Sequence, residues 1–308
     1  MNLHLNPLNS PKLAQFSGHR DCVYALCQGP EPHQFFSSGS DGLVVLWDVH
    51  HPDQGQVLAR LPSAVYALAW HPEKKWLVAA SNRDGFHILD LSGKKEVQRM
   101  AFPGIVWYRI HIQGSLLTAA GSGGTWMQWD LDEAHPRQHQ LGNLEWRALA
   151  FDSDQNRWAI GGKEGQIWMV GSGEGLPYRL PEIHQQTVFG LGFLPGYTRL
   201  ISCGKDARLV LWEEKGTALW EPVHQVPAHL FGIHDLKIHP EKPLLATGSM
   251  DKTIKIWDAE TLKLLRVLDK TRHAGHGHSI NQLLWLEKPE LLLSCSDDRT
   301  ISAWDIYS

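Results

Sequence analysis

The sequence is poor in cysteine, in long apolar runs and in net charge, and each shortage disfavours a class of protein. Four cysteines in 308 residues are too few for a disulfide scaffold. The apolar runs are short, as in residues 64–70, and fall well below the roughly 20 residues that span a bilayer. The 29 Lys and Arg residues are outnumbered by 33 Asp and Glu residues, which disfavours affinity from neutralised nucleic-acid phosphates. We therefore expect no membrane contact and consider nucleic acid an unlikely partner.

Sequence signatures of cofactor and metal enzymes are also missing. The chain has no GxxxxGKS phosphate loop, HExxH helix or CxxC pair. The GSGG run at 121–124 is expected to be a turn in which glycine supplies positive φ. The N-terminal residues lack the basic and apolar segments of a signal peptide. These absences predict a cytoplasmic protein without a cofactor, a bound metal or catalytic residues.

The chain is rich in tryptophan, histidine and glycine, with 14, 18 and 28 copies. In four segments a His is followed after 18 residues by Ser or Thr, after 22 by Asp and after 28 by Trp. These residues are His19, Ser37, Asp41 and Trp47; His184, Ser202, Asp206 and Trp212; His229, Thr247, Asp251 and Trp257; and His276, Ser294, Asp298 and Trp304. Four residue types at fixed offsets in four copies indicate an internal repeat.

The stretch between residues 48 and 183 holds three more copies, which are recognised by their apolar pattern. The segments SAVYALAW, GIVWYRI and NLEWRALAF match the VYAL and VFGLGF segments of the complete copies. The seven units then start near residues 19, 61, 101, 142, 184, 229 and 276. Their spacings of 40 to 47 residues match or slightly exceed the period of about 40 to 45 expected of a four-stranded propeller blade. We expect the units to form a single domain over residues 1–308.

Each unit reads as β-structure, with an alternating run, an apolar run, a tight turn and a run that ends at the Trp position. A fourth short strand follows in the first six units, but the seventh has no residues left for one. Residues 12–16 precede the first unit and can supply the missing strand. The predicted fold is therefore an all-β, seven-bladed β-propeller of four-stranded antiparallel blades. The N-terminal strand closes the ring by pairing with the last blade, which removes an open sheet edge.

Short motifs within the units resemble those of a known family. GH occurs at 18–19 and 275–276, and WD occurs at 47–48, 129–130 and 304–305. With the hydroxyl and Asp residues between them, these motifs resemble the WD-repeat β-propeller family over nearly the whole chain. The resemblance implies a mostly non-catalytic platform that binds proteins or peptides, commonly on the narrow top face around the central channel.

The resemblance also implies that the sixteen repeated residues form four hydrogen-bonded groups, which we call tetrads. In each tetrad the Asp holds the imidazole, the imidazole contacts the hydroxyl, and the hydroxyl accepts from the indole N–H, so that four buried polar groups satisfy one another. Ser, His and Asp also compose hydrolytic triads. An enzyme needs that arrangement once, whereas this chain repeats it four times with Trp attached. We therefore predict a structural role for the tetrads.

Units 2, 3 and 4 lack the tetrad residues. The corresponding positions hold Leu61, Ala79, Arg83 and Leu89; Ala101, Ala119, Gly123 and Trp129; and Gly142, Ile160, Glu164 and Val170. Either apolar packing replaces the hydrogen-bond network in these blades, or the blades are less rigid. We expect their amide hydrogens to exchange faster than those of blades 5 to 7.

The family's top-face positions lie three and five residues after the His and one residue before the Asp. From these positions we predict the partner-binding residues Tyr24, Tyr66, Glu145, Arg147, Lys163, Phe189, Lys205, His234, Met250 and Asp297. The same rule also selects Val106 in unit 3 and Asn281 in unit 7. Aromatic and apolar members of the set offer adaptable contacts, whereas Arg147, Lys163 and Lys205 form a basic arc on blades 4 and 5. Aromatic residues and Arg are enriched in protein-binding hot spots.

The leading functional prediction is a scaffold that binds a protein or peptide ligand on this face, as a monomeric propeller. A second reading is an enzyme with a metal or acid–base site at the channel mouth, for which the top positions supply only His234, Glu145 and Asp297. Nucleic-acid binding through the basic arc is a third reading, disfavoured by the net charge of −4. In a fourth, the side chains only line the channel mouth, and Arg147 pairs with Glu145 or Glu164.

The remaining histidines and cysteines carry weaker signals. The HAGHGH segment at 273–278 is the kind of short His-rich tract that can bind a metal, but His276 belongs to a tetrad and we do not expect metal binding there. Cys22 lies at a top-face position and is a candidate reactive thiol, although a buried thiol is more usual. Cys203 and Cys295 occupy equivalent positions in blades that are not adjacent, so no disulfide is expected between them.

Overall fold

The alternating apolar segments of the seven units form the innermost strands of seven antiparallel sheets in a computed structural model of the chain. The structure describes residues 11–171, 176–196 and 198–307. Each sheet has four strands and is called a blade. Blades 1 to 6 each contain four strands that are consecutive in the chain, and blade 7 combines the first described strand with the last three.

The strands follow the predicted repeat. They begin with β1 (Lys12–Ser17), and blade 1 then has β2 (Val23–Gln28), β3 (Gln34–Gly39), β4 (Leu43–Asp48) and β5 (Gln56–Arg60). Blade 2 has β6 (Val65–His71), β7 (Trp76–Ser81), β8 (Gly85–Asp90) and β9 (Lys95–Met100). Blade 3 has β10 (Trp107–Gln113), β11 (Leu116–Gly121), β12 (Thr125–Asp130) and β13 (Arg137–Gln140). Blade 4 has β14 (Trp146–Asp152), β15 (Arg157–Gly162), β16 (Ile167–Gly171) and β17 (Tyr178–Arg179).

The second half of the chain continues in the same way. Blade 5 has β18 (Val188–Phe193), β19 (Arg199–Gly204), β20 (Arg208–Gly216) and β21 (Leu219–Pro227). Blade 6 has β22 (Ile233–Ile238), β23 (Leu244–Ser249), β24 (Ile254–Asp258) and β25 (Leu264–Leu268). Blade 7 has β26 (Ile280–Leu286), β27 (Leu291–Ser296) and β28 (Thr300–Trp304).

Within the described ranges, helical structure is confined to two short segments. One is a 3₁₀ turn at Lys163–Gly165, and the other is α1 (Lys270–His273). The Asp269 side chain caps α1 by accepting a hydrogen bond from the backbone N–H of Arg272. Among the described residues, no helix has the length and apolar character needed to cross a membrane.

Pairing of β1 with β28 completes blade 7. The two strands are antiparallel, with Phe16 opposite Ile301 and Ser17 opposite Thr300. The innermost strand of each blade contacts that of the next, and β26 of blade 7 contacts β2 of blade 1. The seven-bladed propeller and its closure by the N-terminal strand are therefore confirmed.

Burial follows the radial position of a strand. Every residue of β23 and β27 is buried, because second strands pack against neighbouring blades on both faces. These strands accordingly read as nearly continuous apolar runs. The outermost strand β13 is exposed along its whole length. The core of the molecule therefore lies between the blades.

Hydrogen-bonded tetrads occupy blades 1, 5, 6 and 7. In each, the His Nδ1 lies 2.9–3.1 Å from a carboxylate oxygen of the Asp, and the His Nε2 lies 2.7–2.8 Å from the hydroxyl oxygen. The indole N–H of the Trp donates to the same hydroxyl over 2.7–2.9 Å. The indole, hydroxyl and imidazole are buried in all four groups.

Burial and hydrogen bonding shift the pKa values of the tetrad residues in opposite directions. Burial lowers the pKa of His229, and the bond to Asp251 opposes this only in part. Burial alone would raise the pKa of Asp251, but hydrogen bonds from His229 and Thr253 outweigh it and hold the pKa well below its usual range. The same balance lowers the pKa of Asp206 and of Asp298. A neutral imidazole in this setting donates from Nδ1–H to an ionised carboxylate and accepts the hydroxyl proton at Nε2.

Apolar side chains fill the tetrad positions of blades 2 to 4. The buried residues at these positions are Leu61, Ala79, Leu89, Ala119, Trp129, Ile160 and Val170. Nearby, Phe86, Phe102 and Trp107 form a buried cluster with ring centroids 5.3–5.4 Å apart. In blade 4, Trp158 packs on Phe151 with centroids 4.6 Å apart. Apolar packing therefore takes the place of the hydrogen-bond network in these blades, which is the first of the two alternatives drawn from the sequence.

Candidate functional site

Each innermost strand carries a β-bulge at its second residue. The pairing with the next strand skips this residue in all seven blades, as between Val23 and Ala25 of β2. A bulge re-aims the side chain of the extra residue and bends the strand. The seven bulged residues are Tyr24, Tyr66, Tyr108, Arg147, Phe189, His234 and Asn281. All seven side chains line one cavity of about 350 Å³ at the channel opening, and we call this set the mouth ring.

Aromatic contacts join the first members of the mouth ring. The ring centroids of Tyr24 and Tyr66 lie 5.2 Å apart, and those of Tyr66 and Tyr108 lie 6.0 Å apart. The guanidinium carbon of Arg147 lies 3.9 Å from the centroid of Tyr108 and 5.6 Å from that of Phe189. Cation–π contact of this kind stabilises a charge over a ring face by about 0.5–2 kcal/mol. Arg147 is thereby held between two blades.

Polar contacts complete the other side of the mouth ring. Phe189 and His234 meet edge to face with centroids 5.4 Å apart. The Asn281 side-chain amide donates to a carboxylate oxygen of Asp297 over 2.8 Å and to the backbone oxygen of Val23 over 2.9 Å. Burial lowers the pKa of His234, against the opposing effects of Asn281 and Asp297. The mouth ring therefore changes from aromatic on blades 1 to 3 to polar on blades 6 and 7.

Arg109 closes the cavity from below. Its guanidinium reaches across the channel from blade 3 and donates to the backbone oxygens of Phe189 and His234 over 3.3–3.5 Å. Burial lowers the pKa of Arg109, while the carboxylate of Asp235, 3.9 Å away, opposes the shift. Asp235 is itself buried and accepts a hydrogen bond from the backbone N–H of Leu283 in blade 7. The channel floor is thus a charged contact that links blades 3, 5, 6 and 7.

The structure brings six of the predicted partner-binding residues together at the cavity. They are Tyr24, Tyr66, Arg147, Phe189, His234 and Asp297. The other four lie around this opening without lining the cavity. A carboxylate oxygen of Glu145 lies 3.7 Å from a guanidinium nitrogen of Arg147. The backbone N–H of Lys163 donates to the backbone oxygen of Glu145. Lys205 and Met250 are exposed. The backbone N–H of Lys205 donates to the oxygen of Thr187, just before β18, and that of Met250 donates to the oxygen of Gly232, just before β22.

Sequence reasoning misplaced the mouth position of blade 3. The position five residues after the His equivalent is Val106 in this blade, whereas the bulged residue is Tyr108. The reason is a shorter hairpin, since paired Trp107 and Gly121 are 14 positions apart and paired Val23 and Gly39 are 16 apart. Aligning Trp107 with the apolar residue that starts each of the other innermost strands, such as Val23 or Trp146, would have found Tyr108. Arg109 carried no such signal, because its partners are 80 to 126 residues away in the chain.

Three exposed apolar side chains lie on blade 6 next to the mouth. Leu230 is 84% exposed, Phe231 is 62% exposed and Met250 is 41% exposed. The hydroxyl of Ser249 donates to the backbone oxygen of Phe231, and the N–H of Met250 donates to that of Gly232, so both loops are tied together. We call Leu230, Phe231 and Met250 the apolar ridge. Sequence reasoning missed Leu230 and Phe231 because they fall between the positions of the family rule.

Among the described residues, no metal-ligating cluster forms at the mouth. Within the described residues, neither the mouth nor the HAGHGH loop brings three His, Cys, Asp or Glu side chains within ligating distance of one another. Burial and the adjacent Asp297 raise the pKa of the Cys22 thiol to about 11. The thiolate is the reactive form of cysteine, so the expectation that Cys22 is a reactive thiol is not supported. All four cysteines are free.

Comparison with known proteins places the repeats in a family. The profile described as "WD domain, G-beta repeat" matches residues 10–48, 55–86, 220–258 and 264–305. These matches cover most of blades 1, 6 and 7 and part of blade 2, so three of the four tetrad blades are among them. Much of the chain between residues 87 and 219 lies outside them, including blades 3 and 4.

Several curated proteins are similar to this chain. "Nuclear distribution protein PAC1" of Coccidioides posadasii (strain C735) is 28% identical over 199 residues, which are 63% of this chain and 35% of that protein. "Target of rapamycin complex subunit wat1" of Schizosaccharomyces pombe is 23% identical over 253 residues, 77% of this chain and 79% of that protein. "Transcriptional corepressor LEUNIG_HOMOLOG" of Arabidopsis thaliana is 38% identical over 108 residues, 35% of this chain and 13% of that protein. The similarity thus spans about a third of the PAC1 protein but most of wat1.

Proposed function

Because this chain is a seven-bladed β-propeller that belongs to the WD-repeat family, we propose that it is a non-catalytic scaffold that binds a protein or peptide at the mouth ring. The observation that carries the proposal is the convergence of all seven bulged side chains on one cavity. A bulge interrupts regular pairing, and bulges are enriched where a strand must aim a side chain at a functional site. Seven bulges aimed at one opening give the partner a surface drawn from every blade.

The composition of the mouth ring suits a protein ligand. Three Tyr, one Phe and one Arg are among its seven members, and aromatic residues and Arg dominate binding hot spots. The cavity of about 350 Å³ lies near the lower end of the range of ligand pockets, about 300–1,000 Å³. Such a cavity accepts one or two side chains of a partner segment, while the rest of the partner contacts the surrounding face.

The apolar ridge extends the contact surface beyond the cavity. Leu230 and Phe231 expose large apolar side chains to water, and grouped exposed apolar residues commonly mark interaction sites. Lys205 lies close to the ridge, since the Cβ that Gly232 lacks would lie 3.1 Å from the Lys205 Cα and 3.3 Å from the Met250 sulfur. A partner segment with an aromatic or aliphatic side chain beside a carboxylate or phosphate would match this combination of apolar and basic groups.

The names of the relatives agree with a role in assemblies. The wat1 protein, which this chain matches over most of its length, is named as a subunit of a complex. A propeller without a catalytic group at its mouth acts through what it brings together. We therefore place the function of this chain in protein assembly.

Charge reversal at the mouth tests the proposal. Affinity purification of the wild-type protein with mass spectrometry first identifies its partners. The double variant Arg147→Glu with Lys205→Glu should lose capture of the partner that binds the mouth by at least tenfold, because it places two negative charges where the partner meets two positive ones. Replacement of Arg147 also removes its contacts with Tyr108 and Phe189, which are worth about 0.5–2 kcal/mol, so the thermal unfolding midpoint should fall by no more than a few degrees.

A matched control reverses two charges elsewhere. Lys94 lies in the turn between β8 and β9, and Arg137 lies on the exposed outermost strand of blade 3. Lys94→Glu with Arg137→Glu changes the net charge equally and should leave capture intact. Retention of every partner by the mouth variant would move the binding site to another surface.

A further inference from the structure

Blade 1 carries a cluster of three ligating side chains on the face opposite the mouth. β2 starts at the mouth with Tyr24 and runs away from it, so the β2–β3 and β4–β5 turns lie at the other end of the blade. His33 belongs to the first of these turns, Asp48 is the last residue of β4, and His50 lies in the turn that follows it. No sequence motif links the three, since His33 is 15 residues before Asp48.

The Asp48 carboxylate lies between the two imidazoles. Its Oδ2 is 3.4 Å from the Nε2 of His33, and its Oδ1 is 3.2 Å from the Nδ1 of His50. The two imidazole centroids are 5.1 Å apart with an interplanar angle of 47°. All three ligand atoms lie within 4.8 Å of one another. In the described part of the chain, this is the one place where three such side chains meet.

These separations match the coordination shell of a small divalent ion. Zn²⁺ bonds imidazole nitrogen and carboxylate oxygen at about 2.0–2.2 Å with tetrahedral angles, which places neighbouring ligands roughly 3.3–3.5 Å apart. Each distance from Asp48 to a histidine lies close to that range. The two distances involve different carboxylate oxygens, so the carboxylate would bind the ion through both oxygens or turn to present one of them. The His50 side chain is 62% exposed, so it is free to close the remaining gap to His33 by rotation about its side-chain bonds.

Backbone hydrogen bonds hold the two turns together. The N–H of Val49 donates to the oxygen of His33 over 3.0 Å. The N–H of His50 donates to Oδ1 of Asp48 over 2.9 Å, and the N–H of His51 donates to the backbone oxygen of Asp48 over 3.0 Å. The ligands therefore sit on fixed backbone, which reduces the conformational entropy lost when a metal orders them.

We propose that His33, Asp48 and His50 bind one Zn²⁺ ion. Imidazole and carboxylate are ligands that suit zinc. Three protein ligands leave one tetrahedral position open to water or to a side chain of a bound partner. The site lies away from the mouth ring and is independent of the function proposed for it.

Zinc competition against a chromophoric chelator tests the site on untagged full-length protein. The wild type should withdraw one equivalent of zinc from the chelator. His33→Ala and His50→Ala should each weaken that binding by at least tenfold, because each removes one of three ligands. His278→Ala is the matched control, since His278 is an exposed histidine in the loop before blade 7, and it should bind zinc like the wild type.

Cobalt gives a second measurement at the same site. Co²⁺ bound by three protein ligands in a low-coordinate site should give visible absorption that added Zn²⁺ removes, and the double variant His33→Ala with His50→Ala should not develop it. Both substituted side chains are partly exposed, so circular dichroism and the unfolding midpoint without metal should match the wild type. Absence of zinc binding by the wild type, or equal one-equivalent binding by either single variant, would overturn the proposal.

Discussion

Blades 1, 5, 6 and 7 and blades 2 to 4 reach the same four-stranded geometry by different means. In the first group a buried network of His, hydroxyl, Asp and Trp ties the strands of each blade together. In the second group, alanine, leucine, isoleucine, valine and tryptophan side chains fill the equivalent space. The comparison teaches that blade shape is set by strand pairing and by packing between blades. The tetrad is one of two ways to fill the interior.

The two ways differ in how well they satisfy buried polar groups. Each tetrad pairs its imidazole, hydroxyl and indole internally. Across the described residues, five of the seven buried side-chain atoms without a hydrogen-bond partner lie in blades 2 to 4, namely His71 Nε2, His87 Nε2, Trp107 Nε1, Thr118 Oγ1 and Trp146 Nε1. The other two, Ser302 Oγ and Tyr307 Oη, lie in or directly after β28 of blade 7. A buried polar group without a partner costs about 1–3 kcal/mol. Aromatic packing must offset this cost in blades 2 to 4.

Removal of a buried indole is expected to have the largest effect. Trp212 of blade 5 and Trp129 of blade 3 are both fully buried, and truncation of a core Trp to Ala costs about 3–5 kcal/mol. Each substitution removes one indole donor, but the Ser202 hydroxyl that loses its donor in Trp212→Ala is fully buried, whereas Glu133, the partner of Trp129, is exposed and can bond water instead. Denaturant unfolding should therefore show a greater loss of unfolding free energy for Trp212→Ala, by about 1 kcal/mol. Equal losses would show that the tetrad adds nothing beyond packing.

Exchange of residues between the two kinds of blade should give an intermediate effect. Ser202→Ala leaves the His184 imidazole and the Trp212 indole without their shared hydroxyl, which should cost about 1–3 kcal/mol of unfolding free energy. Ala119 occupies the hydroxyl position in blade 3, where the tetrad-position indole of Trp129 already donates to Glu133 and Ala101 stands at the His position, so Ala119→Ser should destabilise by a similar amount. Thermal or denaturant unfolding measures both. If Ala119→Ser stabilised the protein, blade 3 would retain the capacity for a hydrogen-bond network.

Acidification should give the smallest effect and act on one group of blades. The pKa values of Asp206, Asp251 and Asp298 are lowered in the folded state. The stability they supply is present above the unfolded pKa of about 3.9 and is lost as pH falls through that value towards the folded one. Hydrogen exchange at neutral pH should be faster in blades 2 to 4. Between pH 5 and pH 3, after correction for intrinsic rates, protection in blades 5 to 7 should fall by about tenfold more than in blades 2 to 4.

A uniform response around the ring would contradict this last expectation. Asp206→Asn provides the control, because it keeps the shape of the side chain and removes the titrating group. In that variant the acid-dependent loss of protection should disappear from blade 5 and persist in blades 6 and 7. Persistence in blade 5 would assign the acid response to groups outside the tetrad.

The repeat could be predicted because its constraints are local. The 28-residue spacing from His to Trp spans three strands of one blade, and the network connects these ends through a single hydroxyl. The closing strand followed from the missing fourth strand of the last unit, and β1 at Lys12–Ser17 matches the predicted residues 12–16. Local pattern also placed seven of the nine cavity residues, since each falls at a fixed offset within its blade.

Features that depend on contacts between blades were not accessible from the sequence. Arg109 closes the channel by donating to backbone oxygens that are 80 and 125 residues away in the chain. No periodic signal marks such a residue. The shorter hairpin of blade 3 displaced the register and hid Tyr108. The cluster of His33, Asp48 and His50 forms because two turns meet at one end of blade 1. Such sites require knowledge of which turns lie side by side.

Closure of the ring by β1 also shapes biosynthesis. Residues 12–17 leave the ribosome well before their partners at 300–304, because nearly the whole propeller lies between them in the chain. At about 5–20 residues per second, roughly 15 to 60 s separate the two events. Until then the seventh blade cannot form and the first has no neighbour on one side. The nascent chain therefore exposes apolar surface throughout this interval, in which chaperones would be most needed.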